Sequence, residues 1–267
     1  MLCQDDAVTA APVPLPRRLA AELLGSAFLA AIVIGSGIAA QRLSPSDTGL
    51  QLLENSATTA AGLFAIILMF GPVSGAHFNP VVSFADAAFG GLSWRAAIAY
   101  LPAQVAGCVL GALGANLMFG LSAVSISQKH RASGAHALSE VIATAGLILI
   151  IFALARSGRL GSAPAAVGAY IGAAYWFTAS TSFANPAITV GRMFSNTFAG
   201  IAPSSAPVFV AAQVGGGIAG VLIIRFLYPA LTPAQAAGIV VPHEAANGQA
   251  PPVTTTSPAG TGDAGQQ

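Results

Sequence analysis

Apolar residues are gathered into six runs long enough to cross a bilayer as helices, at Leu19–Ala40, Gly49–Phe70, Arg95–Phe119, Ala135–Leu154, Pro164–Thr181 and Ala206–Tyr228. About 20 helical residues span the roughly 30 Å of hydrocarbon, which sets the length threshold. Two more apolar stretches, Asn79–Phe89 and Asn185–Phe198, are too short. At about 1.5 Å of rise per residue each reaches roughly halfway. The flanks are different material. Residues 1–16 are rich in Ala and Pro, and residues 229–267 in Ala, Pro, Gly, Thr and Gln without apolar periodicity, so both are expected to be disordered tails.

The pattern repeats. "AQVAGCVLGAL" (Ala103–Leu113) in the third run matches "AQVGGGIAGVL" (Ala212–Leu222) in the sixth. Each half has a lone glutamate near the start of its first run, Glu22 and Glu140, and each opens a short helix with Asn-Pro, at Asn79-Pro80 and Asn185-Pro186. Repeat one covers about residues 17–120 and repeat two about 133–228 of a domain spanning 17–228. Three spans per half is an odd number, so the halves enter the membrane in opposite senses. Inverted repeats of this kind place a transport path at their interface near the midplane. The fold expected is an all-α membrane protein with six transmembrane helices, two half-spanning re-entrant helices and an inverted repeat.

Composition agrees. Asp, Glu, Lys and Arg make up 7% of the 267 residues and apolar residues 55%, against about 25% charged residues in soluble domains. Membrane lipid is therefore the expected solvent. The net charge of +1 supplies no basic patch for a nucleic-acid partner. Arg17-Arg18 before the first run, with Asp5 and Asp6 ahead of them, reads as an uncleaved anchor. Arg17, Arg18, Arg95, Arg156, Arg159 and Arg225 fall on one side and Arg42, Lys129, Arg131 and Arg192 on the other. That bias puts both termini in the cytoplasm of a multi-pass cell-membrane protein. The cysteines, Cys3 in the tail and Cys108 in an apolar run, form no disulfide framework.

Proline suits the first helical position and asparagine the N-cap before it. The capping bond fixes the asparagine side chain and leaves its NH2 free to donate. Two such helices meeting N-terminus to N-terminus at the membrane centre each present about half a positive charge. The junction repels cations and interrupts proton relay. The preceding segments, "GPVSGAH" (Gly71–His77) and "WFTASTSFA" (Trp176–Ala184), must then be irregular, which is tolerated at membrane depth only along a cavity. Their carbonyls would line the path, which makes Gly75, Ala76 and His77 candidate lining residues. Glu22 and Glu140 are read as supports that accept hydrogen bonds from the loops' backbone N–H groups, in preference to a proton relay. Asp86 and Arg192 each lie seven residues after an asparagine and share its helix face. Each either lines the path or turns to its own interface.

At "SGAHFNPVVSFADA" and "TSFANPAITVGR" the sequence resembles the aquaporin (major intrinsic protein) family, over about residues 19–228. The family's Asn-Pro-Ala tripeptide stands intact at Asn185-Pro186-Ala187 and is widened to Asn79-Pro80-Val81 at the first site. The resemblance implies a passive channel for small neutral solutes, assembled as a homotetramer, with no cofactor. It also implies a four-residue selectivity filter, located by spacing at Thr59, Ala173, Ser182 and Ile188, the helical positions Thr59 and Ala173 being fixed only to within one helical step. Ile188 replaces an arginine that nearly all members carry. This quartet has no charge, ring or strong donor, so the filter is expected to be wide and mostly apolar. "NPAIT" with "FAGIAPSSAPVFVAAQ" (Phe198–Gln213) further resembles bacterial aquaporins associated with arsenic-resistance operons. Permeants implied are glycerol-like polyols, arsenite and antimonite as neutral hydroxides, and water.

Other signals carry less. "GGGIAG" (Gly215–Gly220) lies inside a span and reads as helix packing. Histidines 77, 130, 136 and 243 show no metal-ligand spacing, and no nucleophile–base arrangement points to an enzyme. The alternatives are a broad, unselective pore for water, urea and glycerol, a closed structural membrane protein, and a coupled transporter. The last lacks the clustered carboxylates it would need.

Overall fold

The computed structural model describes residues 13–229, so most of both tails lies outside the described residues. Eight α-helices follow in order: α1 (Leu15–Leu43), α2 (Thr48–Ser74), α3 (Pro80–Phe89), α4 (Trp94–Met118), α5 (Gly134–Arg156), α6 (Ala163–Phe177), α7 (Pro186–Arg192) and α8 (Ala206–Leu227). Five of them, α1, α2, α4, α5 and α8, are long and apolar enough to cross a membrane. Large apolar side chains on their outer faces, such as Ile98, Met118 and Phe226, are exposed, as lipid-facing residues must be. α1 begins at Leu15, so the expected tail boundary at residue 16 is corrected: Pro16 sits in the first turn, where its missing N–H costs nothing.

Two elements are shorter than their apolar runs. α6 holds 15 residues and stops at Phe177, four residues short of the expected end at Thr181. Thr178 adopts an extended conformation and turns its hydroxyl back onto the Ala174 carbonyl at 2.6 Å, which closes the helix. α7 holds 7 residues and stops at Arg192. There Met193 N–H and Phe194 N–H bond three residues back, to Val190 and Gly191, which tightens the last turn and ends it.

The two repeats pack by the same device. α1 packs on α4, and α5 on α8. The repeated "AQVAGCVLGAL" and "AQVGGGIAGVL" segments set these crossings. A methyl at Gly111 would lie 2.1 Å from the Ala27 carbonyl oxygen, and one at Gly216 2.4 Å from that of Val141. Only glycine lets the backbones approach so closely. The half-helices cross between repeats, α7 lying on α4 and α3 on α8. Their N-termini therefore come together inside the bundle.

Candidate conduction path

The junction is built from two near-identical halves. Asn79 Oδ1 caps α3 by accepting from Val81 N–H at 3.0 Å. Asn185 Oδ1 caps α7 by accepting from Ala187 N–H at 2.9 Å and Ile188 N–H at 3.3 Å. Each amide then reaches across the pseudo-dyad. Asn79 Nδ2 donates to the Ala184 carbonyl and Asn185 Nδ2 to the Phe78 carbonyl, both at 2.7 Å. One proton on each amide nitrogen remains for the cavity that both asparagines line.

The loops ahead of the asparagines are held in costly conformations. Gly75, Ala76 and Phe78 have positive φ in the first, and Thr181, Ser182 and Ala184 in the second. Each non-glycine residue there costs on the order of 1–3 kcal/mol and persists only if the surroundings fix it. The fixing groups are the two buried glutamates. Glu22 accepts from Ser74 Oγ (2.6 Å), His77 N–H (3.0 Å), Phe78 N–H (2.7 Å) and Gln104 Nε2 (2.8 Å). Glu140 accepts from Phe183 N–H (2.9 Å), Ala184 N–H (2.8 Å) and Gln213 Nε2 (2.7 Å).

Sequence reasoning missed Gln104 and Gln213. Each bridges its glutamate to a hydroxyl one turn into the half-helix, Ser83 at 3.0 Å and Thr189 at 2.9 Å. The signal was present: an amide at the same place of both repeated glycine motifs, inside apolar spans, needs a buried partner.

A cavity of about 70 Å³ passes between the repeats, lined by Asn79, Asn185, Thr59, Ser182, Ile188 and mainly aliphatic residues of α1, α2, α5 and α6. Ala76 and His77 line it and Gly75 does not. Gly75 instead caps α2 in the left-handed region. Pro80, Val81, Pro186 and Ala187 also stand outside the lining, as the first turns of α3 and α7.

Two expectations about the constriction are corrected. Ala173 is exposed on the far side of α6. The lining face of α6 is Val167, Ile171 and Tyr175, a spacing of four that leaves residue 173 about half a turn away. On α2 the lining residue nearest the asparagine, Ile67, is twelve positions before it, whereas Tyr175 is ten before Asn185. The lining residue of α6 nearest the second asparagine thus stands ten positions before it, so a spacing of twelve lands on the wrong face. Tyr175 OH lies 3.2 Å from Thr59 Oγ1, placing a ring and a hydroxyl where an alanine was expected.

The second correction concerns charge. Arg192 lines the cavity and is 2% exposed, so the region is not uncharged. Its guanidinium lies 3.4 Å from the centre of the Phe183 ring, and Nε donates to the Ala199 carbonyl. Asp86, its positional counterpart, is fully buried but outside the lining. Asp86 Oδ2 lies 3.5 Å from His77 Nε2, while His77 Nδ1 meets Ser83 Oγ at 3.0 Å. The two halves therefore pair the residue two before the asparagine with the residue seven after it, as His77–Asp86 and as Phe183–Arg192.

Two further cations gather beyond Arg192. Arg131 spends its donors on the carbonyls of Gly200, Ser180 and Phe198, and Lys129 Nζ donates to Phe198 at 3.1 Å. Burial, followed by the charges of Arg131 and Arg192, holds the Lys129 ammonium below its ordinary pKa.

Known proteins share this architecture. The family model described as Major intrinsic protein matches residues 10–184. Aquaglyceroporin AqpS of Rhizobium meliloti (strain 1021) is 47% identical over 213 residues, covering 80% of this chain and 91% of that protein. The glycerol uptake facilitator protein of Pseudomonas aeruginosa is 33% identical over 275 residues, covering 85% and 96%. The crystal structure of the aquaglyceroporin from Plasmodium falciparum superposes with a TM-score of 0.64 at 19% identity, covering 82% of this chain and 99% of that one. With paired Asn-Pro half-helices meeting between inverted repeats, the chain belongs to the major intrinsic protein family.

Proposed function

We propose that the protein is a passive channel for small neutral solutes: glycerol-sized polyols, and arsenite and antimonite as their neutral hydroxides. The observation that carries this reading is the junction of Asn79 and Asn185. Two fixed amide donors face one cavity from helices whose positive ends meet there, an arrangement that favours a neutral oxygen-bearing solute and rejects a cation. Mainly aliphatic walls on either side offer an ion nothing in place of its hydration shell. Each solute hydroxyl bound by both amides has no acceptor free to pass a proton along a file.

Names of similar proteins support the polyol assignment, since two of them are an aquaglyceroporin and a glycerol uptake facilitator. Arsenous acid is compact, polyhydroxylated and mostly neutral at neutral pH, so it presents the same donors and acceptors as glycerol. Tyr175 and Arg192 in the cavity wall disfavour the broad, unselective alternative. The same reading makes the protein a transporter without enzymatic chemistry, puts both termini in the cytoplasm, opens the Arg192 end to the outside, and assembles four independently conducting protomers.

The test is solute entry into cells lacking their own glycerol channel. Glycerol and arsenite should both enter faster than in empty-vector cells, down their gradients and independently of an ion gradient. Glycerol entry without arsenite entry would remove the metalloid part of the proposal. Entry of neither would remove all of it.

A further inference from the structure

Ile188 stands at the position where the resemblance places the family's filter arginine, yet a guanidinium reaches the same cavity from elsewhere. We propose that Arg192 serves as the specificity-determining arginine of this channel, delivered from one helical turn further along α7. With Ser182 and the Thr59–Tyr175 hydroxyl pair it forms a subsite for neutral polyhydroxylated solutes. The inference rests on the channel reading above and deepens it.

The geometry of a helix makes the substitution workable. Residues 188 and 192 are four apart and share a face. The side chain at 192 starts about 6 Å further along the axis, but helical side chains lean back toward the N-terminus, and an arginine is long enough to recover that distance. The contacts agree. The guanidinium stacks on Phe183, the neighbour of Ser182, and both Ile188 and Arg192 line the cavity.

Hydrogen-bond accounting distinguishes Arg192 from the cations beside it. All three guanidinium nitrogens of Arg131 donate to backbone carbonyls, and Lys129 Nζ is tied to Phe198. Arg192 uses only Nε, on Ala199. Among the described residues no acceptor takes its Nη1 or Nη2 protons, although the side chain is almost wholly buried and borders the cavity. Four donors on a fixed plane are thereby left for whatever enters.

Ser182 Oγ, buried against the same cavity, also has no hydrogen-bond partner. Tyr175 and Thr59 add two hydroxyls that can each donate or accept. A solute with hydroxyls on adjacent atoms meets a fork of donors on one side and hydroxyls on the other. Urea, with one carbonyl acceptor and two amides, uses less of that set. The Phe183 ring holds the guanidinium plane in place, and its charge adds to the cation barrier of the junction.

The experiment uses the full-length protein reconstituted in liposomes, with glycerol and urea permeabilities measured alongside internal pH. Arg192→Leu should lower the glycerol-to-urea ratio about tenfold, the scale of one lost charge-assisted hydrogen bond, and should raise proton leak. Ile188→Arg combined with Arg192→Leu should restore proton exclusion. Arg192→Lys keeps the charge and tests the fork alone: exclusion should persist while the ratio falls. Lys129→Gln should leave the ratio unchanged. If Arg192→Leu does not assemble, Arg192→Lys carries the decision. A wild-type ratio and wild-type leak in the Arg192 variants of a conducting protein would overturn the assignment and leave Arg192 as a clamp for the Ala199 carbonyl. A wild-type protein that conducts neither solute would instead overturn the channel reading itself.

Discussion

The centre of the molecule and its two ends obey different rules. At the centre the repeats match atom for atom in kind: glutamate to loop N–H, glutamine to glutamate, hydroxyl to glutamine, asparagine to the opposite carbonyl. At the ends the same sequence positions carry opposite chemistry, His77–Asp86 in one half and Phe183–Arg192 in the other. Symmetry persists where the task is to hold irregular backbone inside a membrane, a task that is identical from either side. It breaks in the pairs beyond, where Arg192 lines the cavity and Asp86 does not.

Breaking the symmetric centre should have the largest effect. Glu22→Ala and Glu140→Ala each strand two buried backbone N–H groups, at about 1–3 kcal/mol apiece. Both variants are expected to lose solute flux and to melt well below wild type in detergent. Full flux in either one, with the other inactive, would show that the matching contacts do not do matching work.

Helix crossings come next. Gly111→Val and Gly216→Val push side chains into carbonyls that already lie 2.1 and 2.4 Å from a methyl at each site. Each should cost about 1–3 kcal/mol and lower the yield of folded protein. Gly215→Ala is the control, since a methyl there meets nothing within 4 Å. A loss at residue 215 equal to that at 216 would refute the close-approach explanation.

How much of this was legible in the sequence divides along the same line. The Asn-Pro pairs, the glutamates and the repeated glycine motifs each have a partner in the other half, so the repeat itself marked the central architecture. The glutamines were marked in the same way and overlooked. What escaped was asymmetric. Tyr175 in place of Ala173 depends on how α6 is turned ahead of the longer irregular segment of repeat two, and loop length is not constrained by hydrophobic pattern. The early end of α6 escaped because the uncharged residues Thr178, Ala179, Ser180 and Thr181 carry no Gly or Pro stop signal, and only the Thr178 backbone closes the helix. Arg192 was found by its spacing, but whether it lined the path or turned away was a question of side-chain direction that spacing leaves open.

Smaller effects probe the asymmetric end. Tyr175→Phe removes the hydroxyl that meets Thr59 and leaves the ring. One such bond is worth about 1 kcal/mol, so glycerol permeability should change by no more than about fivefold, with cation exclusion intact. No change at all would place Tyr175 outside the solute's hydrogen-bonding path.

Mercurials should do least. Cys108 is fully buried in α4 and absent from the cavity lining, so mercuric ion should leave glycerol flux unchanged. Inhibition relieved by Cys108→Ser would show that this face of α4 opens during conduction.

The most direct test of the central claim is stopped-flow light scattering of proteoliposomes given a glycerol gradient, with a pH-sensitive dye inside. A passive path through the asparagine junction predicts glycerol entry faster than in protein-free vesicles, unaltered by an imposed sodium or proton gradient, with internal pH steady under an applied potential. Glycerol entry at the bare-lipid rate, or a proton current accompanying it, would contradict the account.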